Sequence, residues 1–153
     1  MLLQRLNKND LPEIIAFNRR CFSPGDRWSE EDWTELLEDE RAHYYALLEN
    51  GQIVGNMFLY DWQGERDFLK IMNLGVAPDR RGQGLACRLL QKAAEELKAS
   101  MLTRCCGETR ESNLAMRRVF ERCGYRLNKI EENYYENPAE SACKYVLRRE
   151  ELE

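Results

Sequence analysis

Residues 72–97 constrain this chain more than any other stretch. A short apolar strand ending Val76-Ala77 runs into Pro78 and then an arginine- and glycine-rich loop. A helix follows from about Leu85, with Ala86, Leu89, Leu90, Ala93 and Leu97 on one face. Arg88, Gln91, Lys92, Glu95 and Glu96 fall on the opposite, water-facing side. Gly82 and Gly84 let the backbone turn with its amides inward, and the helix start adds unpaired N–H groups and the positive end of a dipole. Together these make an anion cradle suited to a diphosphate. Two common nucleotide loops are excluded. A dinucleotide fingerprint needs a third glycine where Cys87 stands and an acid about twenty positions on, where Arg104 stands. A Walker loop needs Gly-Lys-Ser/Thr to close the turn, and the chain has no such triplet.

The 153 residues suit one domain with a sizeable core, and 43% hydrophobic with 33% charged residues is a soluble globular balance. No apolar run approaches the roughly eighteen residues of a membrane span. Met1-Leu2-Leu3-Gln4-Arg5 passes at once into polar residues, so no secretory h-region is expected and the expected location is cytoplasmic. Six cysteines without Cys-x-x-Cys spacing, and one histidine, make a metal site unexpected. A net charge of -4 argues against a general nucleic-acid binder, and no membrane partner is expected.

Elsewhere the periodicity alternates between strand and helix. Residues 1–6 read as an edge strand. Asp10, with Glu13 three residues on, opens a helix whose Leu11, Ile14, Ile15, Asn18 and Phe22 share a face. Ser23-Pro24-Gly25-Asp26 breaks it, and Ser29 caps a second helix across which Trp28 and Trp33 can staple. Residues 30–40 carry seven acids and no base, which is either a solvated helix face or a rim for a cationic substrate. Strands are expected at 44–48, 52–60 and 67–76, turning at Glu49-Asn50-Gly51 and Gln63-Gly64-Glu65. A strand at 102–108, a helix at 113–123 stopped by Gly124, and strands at 125–135 and 142–147 complete the chain. His43, in a loop before a strand, reads as solvated.

Arg81-Gly82-Gln83-Gly84-Leu85-Ala86 resembles the acyl-CoA pyrophosphate loop of the GNAT acetyltransferase superfamily, Gln/Arg-x-x-Gly-x-Gly/Ala, and meets each of its positions. The order of elements resembles the GNAT fold from end to end. That resemblance implies an α/β GNAT fold spanning 1–153 as a single domain: a central mixed, mostly antiparallel sheet of about seven strands flanked by about four helices. Glu108-Thr109-Arg110-Glu111-Ser112-Asn113, continuing to Phe120-Glu121-Arg122-Cys123-Gly124-Tyr125, resembles the RimI-like branch, the ribosomal-protein-alanine N-acetyltransferases. There a strand ending Glu-Val-Arg precedes Ser-Asn and a helix closing Tyr-Glu-x-x-Gly-Phe. Phe22-Ser23-Pro24 with Trp28-Ser29 resembles that branch's Phe-x-x-Pro-Trp-Ser segment, and Asn133-Tyr134-Tyr135 its Asn-Tyr-Tyr end.

The resemblance implies acetyl-CoA as cosubstrate, its pyrophosphate on Arg81, Gly82, Gln83, Gly84, Leu85, Ala86 and Cys87. It implies that Leu74, Gly75 and Val76 pair with pantetheine like an added strand, one backbone N–H polarising the acetyl carbonyl where charge develops in the transition state. Asn113 corresponds to a residue that hydrogen-bonds the pantetheine arm, and Glu108 to the general base. Read without the resemblance, Glu108 is equally a strand-end carboxylate paired with Arg110 or Arg104. Tyr134 and Tyr135 are substrate contacts or half-buried strand aromatics. Where the branch has a tyrosine acid this chain has Phe120; water, Tyr134, Tyr145 or Cys123 could serve instead, and a thiol of pKa about 8.5 leaves tolerably unprotonated. A protein α-amine, pKa about 7.7–8.0, is roughly a tenth neutral at pH 7, while a lysine amine near about 10.4 is almost wholly charged, so one carboxylate suits the α-amine better. The expected reaction is direct acetyl transfer to the N-terminal α-amine of a protein such as a ribosomal protein. The alternatives are a small-molecule amine acceptor, or a catalytically weak acyl-CoA-binding module.

Overall fold

The computed structural model describes residues 1–152. Its elements run β1 (Leu2–Leu6), α1 (Leu11–Cys21), α2 (Glu30–Glu38), β2 (Ala42–Glu49), β3 (Gln52–Asp61), β4 (Phe68–Val76), α3 (Leu85–Ala99), β5 (Arg104–Arg110), α4 (Leu114–Arg122), β6 (Arg126–Tyr135) and β7 (Glu140–Arg148), with 3₁₀ turns at Lys8–Asp10, Pro24–Asp26, Pro78–Arg80 and Arg149–Leu152. The strands form one seven-stranded sheet in the order β1-β2-β3-β4-β5-β7-β6. Every neighbouring pair is antiparallel except β4 and β5. This is the expected mixed, mostly antiparallel α/β sheet of seven strands with four α-helices.

Local chemistry sets most boundaries. Asn50 and Gly51 both take positive φ (50° and 78°), the geometry of a primed two-residue hairpin turn. Ser29 and Asp32 cap α2 reciprocally, and the Trp28 and Trp33 rings lie 4.5 Å apart across that cap. At α1 the cap differs from expectation. Asn7 and Asp10 form the capping box of the preceding 3₁₀ turn, so the Asp10 carboxylate is spent there and gives α1 no side-chain cap. Pro12 in the first turn of α1 has no N–H to satisfy, which lessens the need.

Two cores cover the two faces of the sheet. One packs Leu85, Leu89, Leu90, Ala93 and Leu97 of α3 and Phe120 of α4 on Met57, Leu59, Leu69, Ile71 and Tyr145. The other packs Ile14 and Phe17 of α1 and Trp33 of α2 on Tyr44, Ala46, Ile53 and Phe58. Asn18, on the apolar face of α1, is buried with both polar side-chain atoms unpartnered. A bulge in the β3–β4 ladder moves the pairing from Leu59↔Ile71 to Phe58↔Asn73 and leaves Met72 over. Before it, Leu69 and Ile71 face the α3 core; beyond it Val76 does, and Gly75 turns to α1. A Cβ on Gly75 would stand 2.7 Å from Cys21 Sγ and 2.8 Å from the Phe22 ring, so α1 can close on this strand only over a glycine.

His43 and Glu96 depart from the water-facing positions their spacing suggested. His43 Nδ1 lies 3.0 Å from Glu96 Oε1, and the Tyr45 hydroxyl donates to the same oxygen at 2.7 Å. The reason is that β2 begins at Ala42, earlier than expected, which brings His43 and Tyr45 beneath α3. Burial pulls the Glu96 carboxyl upward, but the hydrogen bonds from His43 and Tyr45 outweigh it and hold the group below its ordinary value. A carboxyl lowered by folding stabilises the fold above its unfolded pKa, and that contribution fades as pH falls through the folded value. Glu96→Gln should therefore lower the unfolding free energy by about 1 kcal/mol at pH 7. The gap from wild type should narrow in urea titrations as pH is taken progressively below about 4; a gap independent of pH would contradict this assignment.

Candidate active site

β4 and β5 pair in parallel only at Phe68↔Arg104, Leu69↔Cys105 and Lys70↔Cys106, and then separate. Their parting opens a cleft of ≈ 420 Å³. Its floor carries residues 70–74 of β4, residues 108–110 of β5, and Asn113, Met116 and Phe120 beside α4; Phe22, Asp26, Trp28, Tyr134 and Tyr135 form its lips. Of the expected site residues, the cleft brings together Leu74, Glu108, Asn113, Tyr134 and Tyr135. Gly75, Val76 and the loop from Arg81 to Cys87 continue from the same strand and do not line it. None of the acids at 30–40 lines it either, so that run is no rim of this cleft: five of the acids lie on α2, and Asp39, past its end, accepts from the Tyr60 hydroxyl.

Glu108 sits inside β5, 14% exposed at the side chain. Its Oε1 accepts a 2.6 Å hydrogen bond from the Tyr134 hydroxyl. Oε2 lies 3.0 Å from Lys70 Nζ and 3.6 Å from Lys144 Nζ, ion pairs without a directed hydrogen bond. The sheet places both lysines: Lys70 precedes the bulge on β4, and Lys144 stands opposite Glu108 in the β5–β7 register. Glu108 therefore pairs with neither Arg110 nor Arg104, the partners its sequence neighbourhood suggested. Arg104 pairs with Asp67, while Arg110 turns to Asp26 and Glu140. Burial first, and then the Glu108 carboxylate, push the Tyr134 phenol up, so it stays protonated and donates.

Tyr134 and Tyr135 are consecutive yet both line the cleft, which regular strand alternation forbids. Asn133 takes φ 55° where the β6–β7 register slips between Glu131 and Tyr135, and the irregularity turns both rings inward, 5.0 Å apart. Arg110 ties the lips to each other. Its guanidinium donates to Asp26 through Nε and Nη2, to the Pro138 and Glu136 carbonyls and to Glu140 Oε1, and lies 4.6 Å from the Tyr135 ring centroid. Sequence reading missed Lys70, Lys144 and this clamp, since each depends on which strands become neighbours.

Phe120 is buried at the cleft floor, stacked on Tyr145 with centroids 5.0 Å apart, its ring edge packed on Gly107. Neither Tyr145 nor Cys123 lines the cleft. The Tyr145 hydroxyl meets Arg117 and Glu121, and Cys123 donates to Cys87. Of the protein groups weighed as substitutes for the missing acid, Tyr134 alone reaches the cleft.

Beyond Val76 the chain forms an open anion cradle. Gly82 and Gly84 take φ +80° and +78°, with no atom within 4 Å of where a Cβ would stand. Gly84 is the N-cap of α3 and offers no side-chain cap, leaving first-turn amides for a ligand. Arg81 folds back along the loop, its Nε donating to the Val76 carbonyl at 3.2 Å. Asn113 caps α4, its Oδ1 accepting from Met116 N at 3.1 Å. These features fit acetyl-CoA: an open amide-lined turn for a diphosphate, a strand freed from its neighbour, and a carboxylate in the adjoining cleft.

A parted mixed sheet with a glycine turn at its opening defines the class as an acyl-CoA-dependent acyltransferase. Residues 11–125 match the acetyltransferase (GNAT) family, and the chain belongs to it. It is an acetyl-CoA-dependent N-acetyltransferase acting on an amine acceptor. The chain is similar to the ribosomal protein bS18-alanine N-acetyltransferase of Escherichia coli K12, 28% identical over 133 residues that cover 87% of this chain and 86% of that one. The crystal structure of the Escherichia coli ribosomal-protein-S18-alanine N-acetyltransferase superposes with a TM-score of 0.85 at 26% identity, covering 96% and 92% of the two chains. Arabidopsis thaliana NAA60 in complex with acetyl-CoA shares the fold, with a TM-score of 0.82 at 15% identity over 96% and 97% of the chains. No helix among the described residues is long and apolar enough to cross a membrane.

Arg110→Ala should release both lips of the cleft. Displacing groups by about an ångström can cost up to a hundredfold; we expect the acceptor KM to rise about tenfold or more, with acetyl-CoA affinity intact. Arg110→Lys should recover little, because an ammonium cannot reproduce the fork. Steady-state kinetics with varied acceptor check this, and an unchanged KM would contradict the clamp.

Proposed function

We propose that the acceptor is the N-terminal α-amine of a protein, of the ribosomal-protein type, and that residues 1–153 act as one cytoplasmic GNAT domain. The observation that carries the proposal is the cleft itself: a half-buried carboxylate, Glu108, lies between one lip of Phe22, Asp26 and Trp28 and another of Tyr134 and Tyr135. Similarity to the bS18-alanine enzymes over most of both chains supports the same acceptor class.

When bound, acetyl-CoA supplies an activated acetyl group and a thiolate that can leave. Arg81, Gly82, Gln83, Gly84, Leu85, Ala86 and Cys87 hold its pyrophosphate. Leu74, Gly75 and Val76 offer the backbone edge that β5 relinquishes, and Asn113 adds a side-chain hydrogen bond beside it. A backbone N–H of this strand polarises the acetyl carbonyl. Glu108 removes a proton from the acceptor amine, directly or through water, while Lys70 and Tyr134 hold its two oxygens in place. Tyr134 and Tyr135 contact the acceptor. With Phe120 at the cleft floor, departure of the thiolate relies on its own modest basicity, pKa about 8.5.

Glu108→Gln should keep acetyl-CoA affinity and lower turnover about a hundredfold or more, with partial recovery at high pH as the amine deprotonates unaided. Gly84→Asp, which puts a side chain and a negative charge into the turn, should abolish most acetyl-CoA binding in calorimetric titration of the folded variant. The acceptor is tested by turnover on N-terminal peptides, N-terminally blocked lysine peptides and small amines including polyamines. Preference for free N-termini supports the proposal; a small amine favoured by orders of magnitude in kcat/KM would overturn it.

A further inference from the structure

All six cysteines are free, and two far apart in sequence meet. Cys87, in the first turn of α3, and Cys123, at the C-cap of α4, place their sulfurs 2.8 Å apart, with Cys123 donating and Cys87 accepting. Both are half-buried, so small reagents can reach them, whereas Cys105 and Cys143 are buried in the core. Burial first, and then Cys87, push the Cys123 thiol up, so Cys123 keeps its proton at neutral pH. Cys87, in the first turn of α3 and not at a helix C-terminus, is the sulfur placed to react first.

The pair joins two parts of the site. The Cys87 amide belongs to the turn proposed to hold the pyrophosphate. Asn113, which caps α4 at its other end, and Phe120, one turn before Cys123, line the cleft. A disulfide needs its sulfurs at about 2.05 Å. Closure from the present contact moves the Cys87 side chain toward α4, and whatever the two side chains do not take up falls on the first turn of α3. Hydrogen bonds to an anion lose strength over displacements of this size, so the Cys87 end of the cradle registers the change first.

We propose that Cys87 and Cys123 are an oxidisable dithiol whose closure by low-molecular-weight disulfides weakens acetyl-CoA binding. Cys87, as thiolate, attacks one sulfur of the small disulfide R–S–S–R. The S–S bond breaks, a mixed disulfide forms on Cys87, and the departing R–S⁻ takes up the proton that Cys87 gave to water. Cys123 then loses its proton and attacks Cys87 Sγ, releasing the second R–S⁻, which is protonated in turn. Two protein thiols are oxidised by two electrons in total, and one small disulfide is reduced to two thiols. Such a bond in a reducing compartment is transient, and reduction reverses it. The effect on binding rests on the proposed pyrophosphate turn; the pairing chemistry does not.

The experiment incubates the folded full chain with oxidised glutathione and follows it by intact mass, peptide mapping and calorimetric titration with acetyl-CoA. The expected product is about 2 Da lighter, with a Cys87–Cys123 linked peptide, and binds acetyl-CoA about threefold or more weakly until dithiothreitol restores it. Cys123→Ser should instead stop at a glutathione adduct on Cys87 and form no internal link. Six thiols surviving the treatment, or a link between other cysteines, would overturn the dithiol. A Cys87–Cys123 link with an unchanged acetyl-CoA isotherm would overturn its coupling to the cofactor. Gly84→Asp separates this from the loop reading: if that variant binds normally, the turn was misassigned whatever the mass shows.

Discussion

The structure depends on the parting of β4 and β5. In a sheet that is otherwise antiparallel, these two strands pair in parallel for three residues and then diverge, so 74–76 lose a neighbour on one side. Unpaired strand edges are costly inside a fold and serve naturally to bind extended chains. In the proposed site the pantetheine arm of acetyl-CoA is the chain that takes this edge. Helices on both faces hold the gap open: α3 and α4 pack one side, and α1 closes on Gly75 from the other.

Two irregularities give the gap its chemistry. The bulge at Met72 exchanges the faces of β4, so Lys70, Met72, Asn73 and Leu74 all border the cleft although they are nearly consecutive. Asn73 is fixed there by a buried 2.8 Å hydrogen bond from Asn56. On the far side, the left-handed Asn133 turns two successive tyrosines toward the same space. Glu108 stands between these departures, bracketed by ammonium groups from both neighbouring strands. A carboxylate this enclosed keeps its orientation because its partners come from elements that cannot move independently. Regular strands would have sent half of these side chains to the opposite face.

The sequence made legible what local chemistry determines. The strand–Pro78–glycine loop–helix unit, the Asn50-Gly51 turn, the Ser29 cap with its tryptophan staple and the Gly124 stop follow from neighbours a few residues apart, and each appears in the structure. Strand ends were less legible because pairing partners extend them: β2 starts at Ala42 and β5 runs on to Arg110, which places Glu108 within a strand and not at its end. Partnerships across the sheet were not legible at all. Lys144 is opposite Glu108 only because β7 inserts between β5 and β6, and the His43–Glu96 contact exists only because β2 passes beneath α3. The missing tyrosine at Phe120 was visible from sequence, but its ring stacking on Tyr145, which withdraws Tyr145 from the cleft, required the fold.

The proposed acetyl-CoA site is one continuous path, from the glycine turn along the freed edge of β4 to Glu108. Backbone amide resonances followed by NMR during titration with acetyl-CoA test it most directly. The largest shifts are expected at 74–76 and 82–87, with smaller ones at Glu108 and Asn113. Shifts concentrated instead around Asn7, Lys8 and Leu37, which line a second depression at the C-terminal end of α2, would contradict it.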